Sequence, residues 1–210
     1  MILSVGHSSL SEKKFLKLLQ ANSVEMVVDV RSHPSSHWIQ FLQPSLRQSL
    51  SNVGIDYSWW PNLGGWSDRF TGYARTMKEH GVDVEAYSGP FPRGWAAAIR
   101  ELPEGDPGWK SQGLHDFSFF MTLPEFRSSA ELLVAKGEKT NIAMMCAEAL
   151  WWKCHRAQIA DYVVFMGFDV KHISPPPTLH SAVAARRIGR YDPYVLKIWG
   201  EWKAATLTRI

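Results

Sequence analysis

Apolar blocks alternate with helical patterns along the chain, and the first of them predict a strand, a helix and a second strand. Residues 2–6 form a short apolar run, and residues 26–30 form another that is interrupted only by Asp29. Between them, apolar positions at helical spacing follow Ser9 and Glu12, which have the spacing of a capping box. The handedness rule predicts a right-handed crossover between the two strands, which are expected to be parallel and neighbouring.

The same alternation continues to about residue 173 and predicts an α/β fold. It favours three layers, with a mostly parallel sheet of about five strands and helices on both faces, as in Rossmann-like proteins. The later predicted elements are helices near residues 44–53, 122–137 and 153–166, and strands at 55–59, 141–146 and 168–173.

The organisation of the chain follows from where this alternation is interrupted. Residues 66–112 are rich in Gly and Pro, which predicts an irregular insertion or lid. Three prolines then end the core, so residues 1–174 are predicted to form one α/β domain. Residues 175–210 are predicted to be a C-terminal extension, with an amphipathic helix packed on that domain.

Composition narrows the class of protein. The chain has 210 residues, of which 45% are hydrophobic and 20% charged, as in ordinary globular proteins. It carries no apolar run long enough to span a bilayer, and Met1–Gly6 is too short and uncharged to be typical of a signal peptide, so we expect a cytoplasmic protein without a membrane partner. Two cysteines cannot form a disulfide framework. The oligomeric state is left open.

Basic residues are concentrated in the C-terminal third, although the net charge is only +3. Arg186, Arg187 and Arg190 could contact phosphates, and some of the ten tryptophans could stack on nucleobases. A solvated basic face and tryptophans in the core are the alternative interpretation.

Polar residues that follow the predicted strands indicate a functional site. Ligands bind beyond the carboxyl ends of strands in parallel α/β sheets, because loops and helix N-termini converge there. The predicted catalytic residues are His7, Cys146 and Glu148. The predicted substrate-binding residues are Ser8, Arg31, Ser32, Gly64, Gly65 and Arg156. Asp29, Cys154 and His155 are predicted to support them.

Several of these residues also have a purely structural interpretation. His7 could fix the turn after Gly6, and Arg31 could form an internal ion pair instead of binding an anion. Cys146 could be a small buried hydrophobe. Glu148 is the preferred acid or base, since its charge would raise the pKa of a neighbouring Cys146 thiol and oppose a thiolate.

The cysteines suggest two further chemistries, an anion-binding loop and a metal site. A rhodanese-like anion loop is disfavoured because the first arginine after Cys146 is Arg156, ten residues on, and Trp151-Trp152 intervenes. A metal site at Cys146, Cys154 and His155 has unusual spacing and needs an imported ligand such as His7, His33 or His172. No cofactor is therefore predicted, and a metal is a weak possibility.

The ordered motifs resemble the DUF488 family of α/β proteins of unknown function. The resemblance rests on four stretches, namely Ser4-Val5-Gly6-His7-Ser8, Val28-Asp29-Val30-Arg31-Ser32-His33-Pro34, Gly54-Ile55-Asp56-Tyr57 with Leu63-Gly64-Gly65, and Cys146-Ala147-Glu148 through Cys154-His155-Arg156. It implies a fold and a shared site, but no reaction. Trp151-Trp152 departs from the smaller residues that are commoner in the family.

These observations favour an enzyme, a hydrolase or transferase, that binds an anionic substrate such as a nucleotide or nucleic-acid fragment. Two alternatives remain open. The chain could be a nucleic-acid-binding accessory protein, or a metal- or redox-dependent regulator that uses its cysteines and histidines.

Overall fold

A six-stranded sheet covered by helices on both faces organises the computed structural model of this protein. The strands are β1 (Ile2–Gly6), β2 (Met26–Asp29), β3 (Asp56–Trp59), β4 (Ile142–Cys146), β5 (Val170–His172) and β6 (Thr178–Leu179). The helices are α1 (Glu12–Ala21), α2 (Gln43–Ser51), α3 (Gln112–Phe120), α4 (Pro124–Gly137), α5 (Arg156–Phe165), α6 (Ser181–Ile188) and α7 (Pro193–Leu207). The structure describes residues 1–64, 109, 111–174 and 176–207.

The strand order is β3-β2-β4-β1-β5-β6, and the first five strands are parallel. The predicted α/β class and mostly parallel sheet are confirmed, and the short antiparallel β6 adds a strand to the five expected. The prediction that β1 and β2 are neighbours is wrong, because β4 lies between them and pairs with both. A parallel crossover fixes direction and hand, but it does not prevent a later strand from inserting.

Each face of the sheet has its own hydrophobic core. One core lies beneath α1 and α2 and includes Phe15, Leu19, Phe41 and Leu46. The other is larger and includes Phe117, Phe126, Tyr162 and Trp199 from α3, α4, α5 and α7. Helices on both faces explain why β1 and β4 are buried along their whole length, with no alternation of apolar and polar residues.

The turn between β1 and α1 differs from the prediction. Ser11, and not Ser9, occupies the N-cap position of α1, and its hydroxyl accepts a hydrogen bond from the backbone N–H of Lys14 at 3.4 Å. The helix therefore begins at Glu12. Ser8 has φ +45°, a left-handed conformation that turns the chain away from the sheet edge.

The C-terminal helix packs on the core. Trp199 of α7 is fully buried, and its indole N–H donates to the backbone oxygen of Met121 at 3.1 Å. Its ring contacts Tyr162 edge-on, and the Lys203 ammonium donates to the oxygen of Phe165. Among the described residues, no helix combines the length and apolar character needed to cross a membrane. The predicted insertion lies almost wholly outside the described residues.

Candidate functional site

The carboxyl ends of β1 and β4 approach each other closely at the edge where the site was predicted. The backbone N–H of His7 donates to the oxygen of Cys146 at 3.0 Å, which extends the β1–β4 pairing by one residue. A Cβ atom on Gly6 would lie 1.9 Å from the backbone oxygen of Glu148 and 2.9 Å from Arg156 Nη2. Only glycine allows this approach.

His7 is a buried imidazole that stays neutral near pH 7. Its ring stacks on Phe41 with centroids 4.1 Å apart, and Nδ1–H donates to the backbone oxygen of Ser8 at 2.9 Å. Nε2 is thereby left unprotonated, and it faces Nη1 of Arg31 at 3.5 Å. Burial and the charge of Arg31 lower the pKa of His7 to about 4.

Arg31 forms an internal ion pair, the structural alternative considered for it. Its Nε donates to both carboxylate oxygens of Asp29, at 2.9 and 3.1 Å, and Nη2 donates to Asp29 Oδ2. Nη1 donates to the backbone oxygens of Ser35 and Phe41. The hydroxyl of Tyr57 also donates to Asp29, at 2.8 Å. All three guanidinium nitrogens are therefore engaged by protein groups, which does not favour a direct contact with substrate.

Tyr57 was not recognised from the sequence as part of this arrangement. It lies on β3, beside Asp29 of β2, and burial together with the charge of Asp29 raises the pKa of its hydroxyl. The sequence indicates only that Tyr57 belongs to a predicted strand, residues 55–59, in which apolar and polar residues alternate. Such a pattern places Tyr57 in the sheet but does not identify its hydrogen-bond partner.

A second group of polar residues lies on the opposite face of the sheet and consists of Cys146, Cys154 and His155. Their two sulfur atoms and one imidazole nitrogen all lie within 4.8 Å of one another, and all three residues are buried. The distance between Cys154 Sγ and His155 Nδ1 is 3.6 Å. The other ring nitrogen of His155 hydrogen-bonds to the backbone oxygen of Val30 at 2.8 Å.

The two thiols differ in their acidity. A hydrogen bond with Cys154, together with burial, raises the pKa of Cys146. Burial alone would also raise the pKa of Cys154, but the hydrogen bond from Cys146, the neighbouring His155 and the charge of Arg156 hold it well below the usual range. The charge of Arg156 and a hydrogen bond with the backbone of Glu148 act in the opposite direction and lower the pKa of Cys146. The effect predicted for the Glu148 carboxylate stays a prediction.

Arg156 begins α5 and is fully buried between these cysteines and β1. Nη1 donates to the hydroxyl of Ser4 at 3.2 Å, and Nη2 donates to the backbone oxygen of Glu148. Its Nε has no hydrogen-bond partner among the described residues, and no carboxylate in that part of the chain forms an ion pair with Arg156.

The remaining predicted residues lie around the rim of this edge. The side chain of Glu148 is exposed, although its backbone oxygen binds Arg156. Gly64 packs against the end of β2, where a Cβ atom would lie only 2.6 Å from the Cα of Ser32. Ser32 itself is half-buried. Gly65 lies outside the described residues.

The predicted residues thus form two groups at one edge of the sheet. Arg31 contacts both His7 and Asp29 beside the core of α1 and α2. Cys146 and Cys154 belong to the core on the other face. The groups interact electrostatically, because Arg156 contributes to lowering the pKa of His7. Their functional roles stay predictions.

A buried relay of Asp161, His180 and His172 was missed by sequence reasoning. The Asp161 carboxylate accepts from His180 Nε2 at 2.7 Å, Arg187 Nε at 2.8 Å and the Tyr191 hydroxyl at 2.8 Å. His180 Nδ1 then accepts from His172 Nε2 at 2.9 Å. The Nδ1 atom of His172 is left as an acceptor with no partner in the described chain. Of these three residues, the sequence points only to His172, as a possible metal ligand.

His172 lies next to the site because it pairs with Ser4 of β1. Its ring stacks on Trp151 with centroids 3.9 Å apart. Burial, together with the neighbouring His180 and Arg156, lowers the pKa of His172 to about 2. It is therefore a neutral imidazole in the folded chain.

The contacts of Asp161 also show that one arginine of the predicted basic surface for nucleic acid is buried. Arg187 is only 6% exposed and is held by Asp161, so it does not contribute to such a surface. Arg186 and Arg190 are exposed. Within the described ranges, the exposed tryptophans are Trp38 and Trp152, which lie on other segments.

Comparison with known proteins identifies the family. The pattern of the family described as "Domain of unknown function DUF488" matches residues 11–104 and 98–163. The chain therefore belongs to the DUF488 family, which confirms the resemblance carried by its motifs. No curated protein and no solved structure matches the chain.

Proposed function

We propose that this protein is an enzyme, a hydrolase or group transferase, that binds an anionic substrate at the carboxyl edge of its sheet, with Arg156 as the anion-binding residue. A nucleotide or a nucleic-acid fragment is the class of substrate we favour. The observation that carries the proposal is the buried guanidinium of Arg156, which lacks a carboxylate partner within the described ranges.

Two other buried arginines show how this chain normally compensates such a charge. Arg31 pairs with Asp29, and Arg187 pairs with Asp161. A buried charge without a partner costs several kcal/mol, on the order of 3–5 kcal/mol when a pair is broken. A substrate anion at Arg156 would supply the missing charge, and its unpartnered Nε–H offers a donor for that contact.

Glu148 is the acid or base in this proposal. Its side chain is exposed, while its backbone oxygen accepts a hydrogen bond from Arg156. The side chain therefore starts from a backbone position next to the proposed anion. His7 is not an acid at neutral pH, since its pKa is lowered to about 4. We therefore assign His7 and Arg31 the task of positioning the β1 and β2 ends.

The proposal is tested by measuring anion binding through thermal stability. A ligand that binds only the folded chain stabilises it by about 2.7 kcal/mol at a hundredfold excess over Kd. We expect sodium phosphate to raise Tm above the value in sodium chloride of equal ionic strength. Isothermal titration of the unaltered protein with phosphate should give saturable binding.

Arg156→Gln should remove the phosphate-specific rise in Tm. Arg127→Gln is the matched control, because Arg127 is a partly exposed arginine in an ordinary surface ion pair with Glu131. An equal phosphate response in the two variants would show that Arg156 does not bind the anion. Absence of saturable phosphate binding by the unaltered protein would also contradict the proposal, whether or not Arg156→Gln folds.

A further inference from the structure

The three buried side chains Cys146, Cys154 and His155 have the dimensions of a metal site. For a tetrahedral ion with metal–sulfur bonds of about 2.3 Å and metal–nitrogen bonds of about 2.0–2.1 Å, neighbouring sulfur and nitrogen ligands lie about 3.5 Å apart. The observed distance from Cys154 Sγ to His155 Nδ1 is 3.6 Å. The three ligand atoms all fall within 4.8 Å, so an ion between them requires only small side-chain movements.

The hydrogen bond of His155 supports the same conclusion independently. Val30 offers a backbone oxygen, which can only accept, so His155 Nε2 must carry the proton. In the neutral ring, Nδ1 then carries the lone pair, and this atom lies 3.6 Å from Cys154 Sγ. Metal-binding histidines usually donate their other ring N–H to a carbonyl or carboxylate, which fixes the tautomer. His155 is therefore already oriented as a ligand.

The ligand set selects the type of metal. Thiolate and imidazole together favour zinc over the hard cations Mg²⁺ and Ca²⁺, which prefer oxygen. Two thiolates would neutralise the charge of a divalent ion. The buried cation Arg156 would then still require an anion beside the site.

We propose that Cys146, Cys154 and His155 bind one Zn²⁺ ion and leave its fourth position open. Three protein ligands with an open position are typical of catalytic zinc sites, whereas structural sites have four. The part of this proposal that concerns the fourth position rests on the proposed function, because water or the anion held by Arg156 would occupy it. There zinc would polarise the substrate or activate the water.

Cobalt binding tests the ligand set directly. The reduced full-length protein, freed of metal with a chelator, is titrated with Co²⁺ and its absorption spectrum recorded. We expect saturation at one Co²⁺ per chain, with thiolate-to-cobalt charge-transfer bands and strong visible bands of tetrahedral cobalt. Addition of Zn²⁺ should remove these bands. Their absence, or only weak octahedral bands, would overturn the proposal.

Substitutions identify the ligands. Cys154→Ser and His155→Asn should each lower cobalt affinity by at least about 100-fold, the upper end of the effect of losing an outer-sphere partner. His37→Asn is the matched control, because His37 is exposed and distant in sequence. Unchanged cobalt affinity in Cys154→Ser would contradict the assignment.

A measurement on the unaltered protein covers the case in which these variants do not fold. Zn²⁺ should slow alkylation of Cys146 and Cys154 by iodoacetamide, and a chelator should restore the original rate. Equal rates with and without Zn²⁺ would overturn the proposal. So would isolation of the protein with a Cys146–Cys154 disulfide whose reduction yields no cobalt binding.

The zinc site and the anion site can fail separately. A phosphate-induced change in the visible cobalt bands supports an open position shared with the anion, and unchanged bands contradict it. Phosphate binding that depends on Arg156 in the metal-free protein, without any cobalt–thiolate band, would overturn the zinc site and leave the proposed function standing.

Discussion

Replacing Gly6 with alanine perturbs the closest backbone approach at the candidate site. The added Cβ would lie 1.9 Å from the backbone oxygen of Glu148, whereas ordinary contact begins near 3.4 Å. The two segments must therefore separate by about 1.5 Å. Because the opposing atom belongs to the backbone, no side-chain rotation relieves the overlap.

The cost can be worked from two contributions. Overpacking of this kind typically costs about 1–3 kcal/mol. Displacing the Glu148 carbonyl also weakens its hydrogen bond from Arg156, and a hydrogen bond to a charged group contributes about 1.5–3 kcal/mol. We expect Gly6→Ala to lower the free energy of unfolding by about 2.5–6 kcal/mol.

Urea denaturation followed by circular dichroism measures this loss. Gly200→Ala is the matched control, since Gly200 lies within α7 and a Cβ there would meet nothing within 4 Å. Alanine at position 200 should be stabilising by about 0.5–1 kcal/mol. A loss below about 1 kcal/mol for Gly6→Ala would refute the reasoning, because it would mean that β1 and the segment after β4 can separate freely.

Three further outcomes follow from the buried polar contacts. Asp161→Asn should lower the free energy of unfolding by about 3–5 kcal/mol in urea titrations, because it removes the counter-charge of Arg187. A loss under about 1 kcal/mol would contradict the importance of this ion pair. Because the pKa of His172 is lowered to about 2, the unfolded chain binds more protons below pH 6.5, and stability should fall by up to about 1.4 kcal/mol per pH unit as pH decreases from 6.5 to 4. The pH slope should be shallower in His172→Gln, and an unchanged slope would exclude His172 as its source. Tyr57→Phe removes a hydrogen bond to Asp29 and should cost about 1.5–3 kcal/mol by the same assay, whereas no loss would show that this hydrogen bond is not stabilising.

The strands β1 to β5 and several helices were predictable because the spacing of apolar residues is a local signal, whereas β6, α3 and α6 were not predicted. The buried run 142–146 is observed as β4, and 26–30 contains β2. Strand order was not predictable in the same way. Nothing in the first 60 residues indicates that β4 inserts between β1 and β2, since all three strands have similar apolar character.

The candidate site shows the same division between local and distant information. The sequence leaves Arg31 open between an internal ion pair and anion binding, and it gives no indication of the surroundings of Arg156. Arg31 obtains a carboxylate two residues away, and Arg156 obtains only a hydroxyl and a carbonyl. Sequence identified both residues as chemically important, but only the packing of α5 on β1 distinguishes their environments.

The sequence spacing of Cys146, Cys154 and His155 gives little indication that they form a group. Seven residues separate Cys146 from Cys154, which is unlike the spacing of zinc fingers. The short 3-10 helix Trp151–Lys153 lies between them in the chain. After it, Cys154 and His155 lie close to Cys146 at the end of β4. The proximity of the three side chains was therefore not predictable from their spacing along the chain.

The position of β4 between β1 and β2 has a consequence for synthesis on the ribosome. When the first 60 residues have emerged, β1 and the β2–β3 pair each lack the partner that joins them. That partner is translated more than 80 residues later, roughly 4–16 s at about 5–20 residues per second. During this interval the nascent chain exposes two apolar strand edges, so chaperones that bind extended hydrophobic segments should associate with it before residue 146 appears.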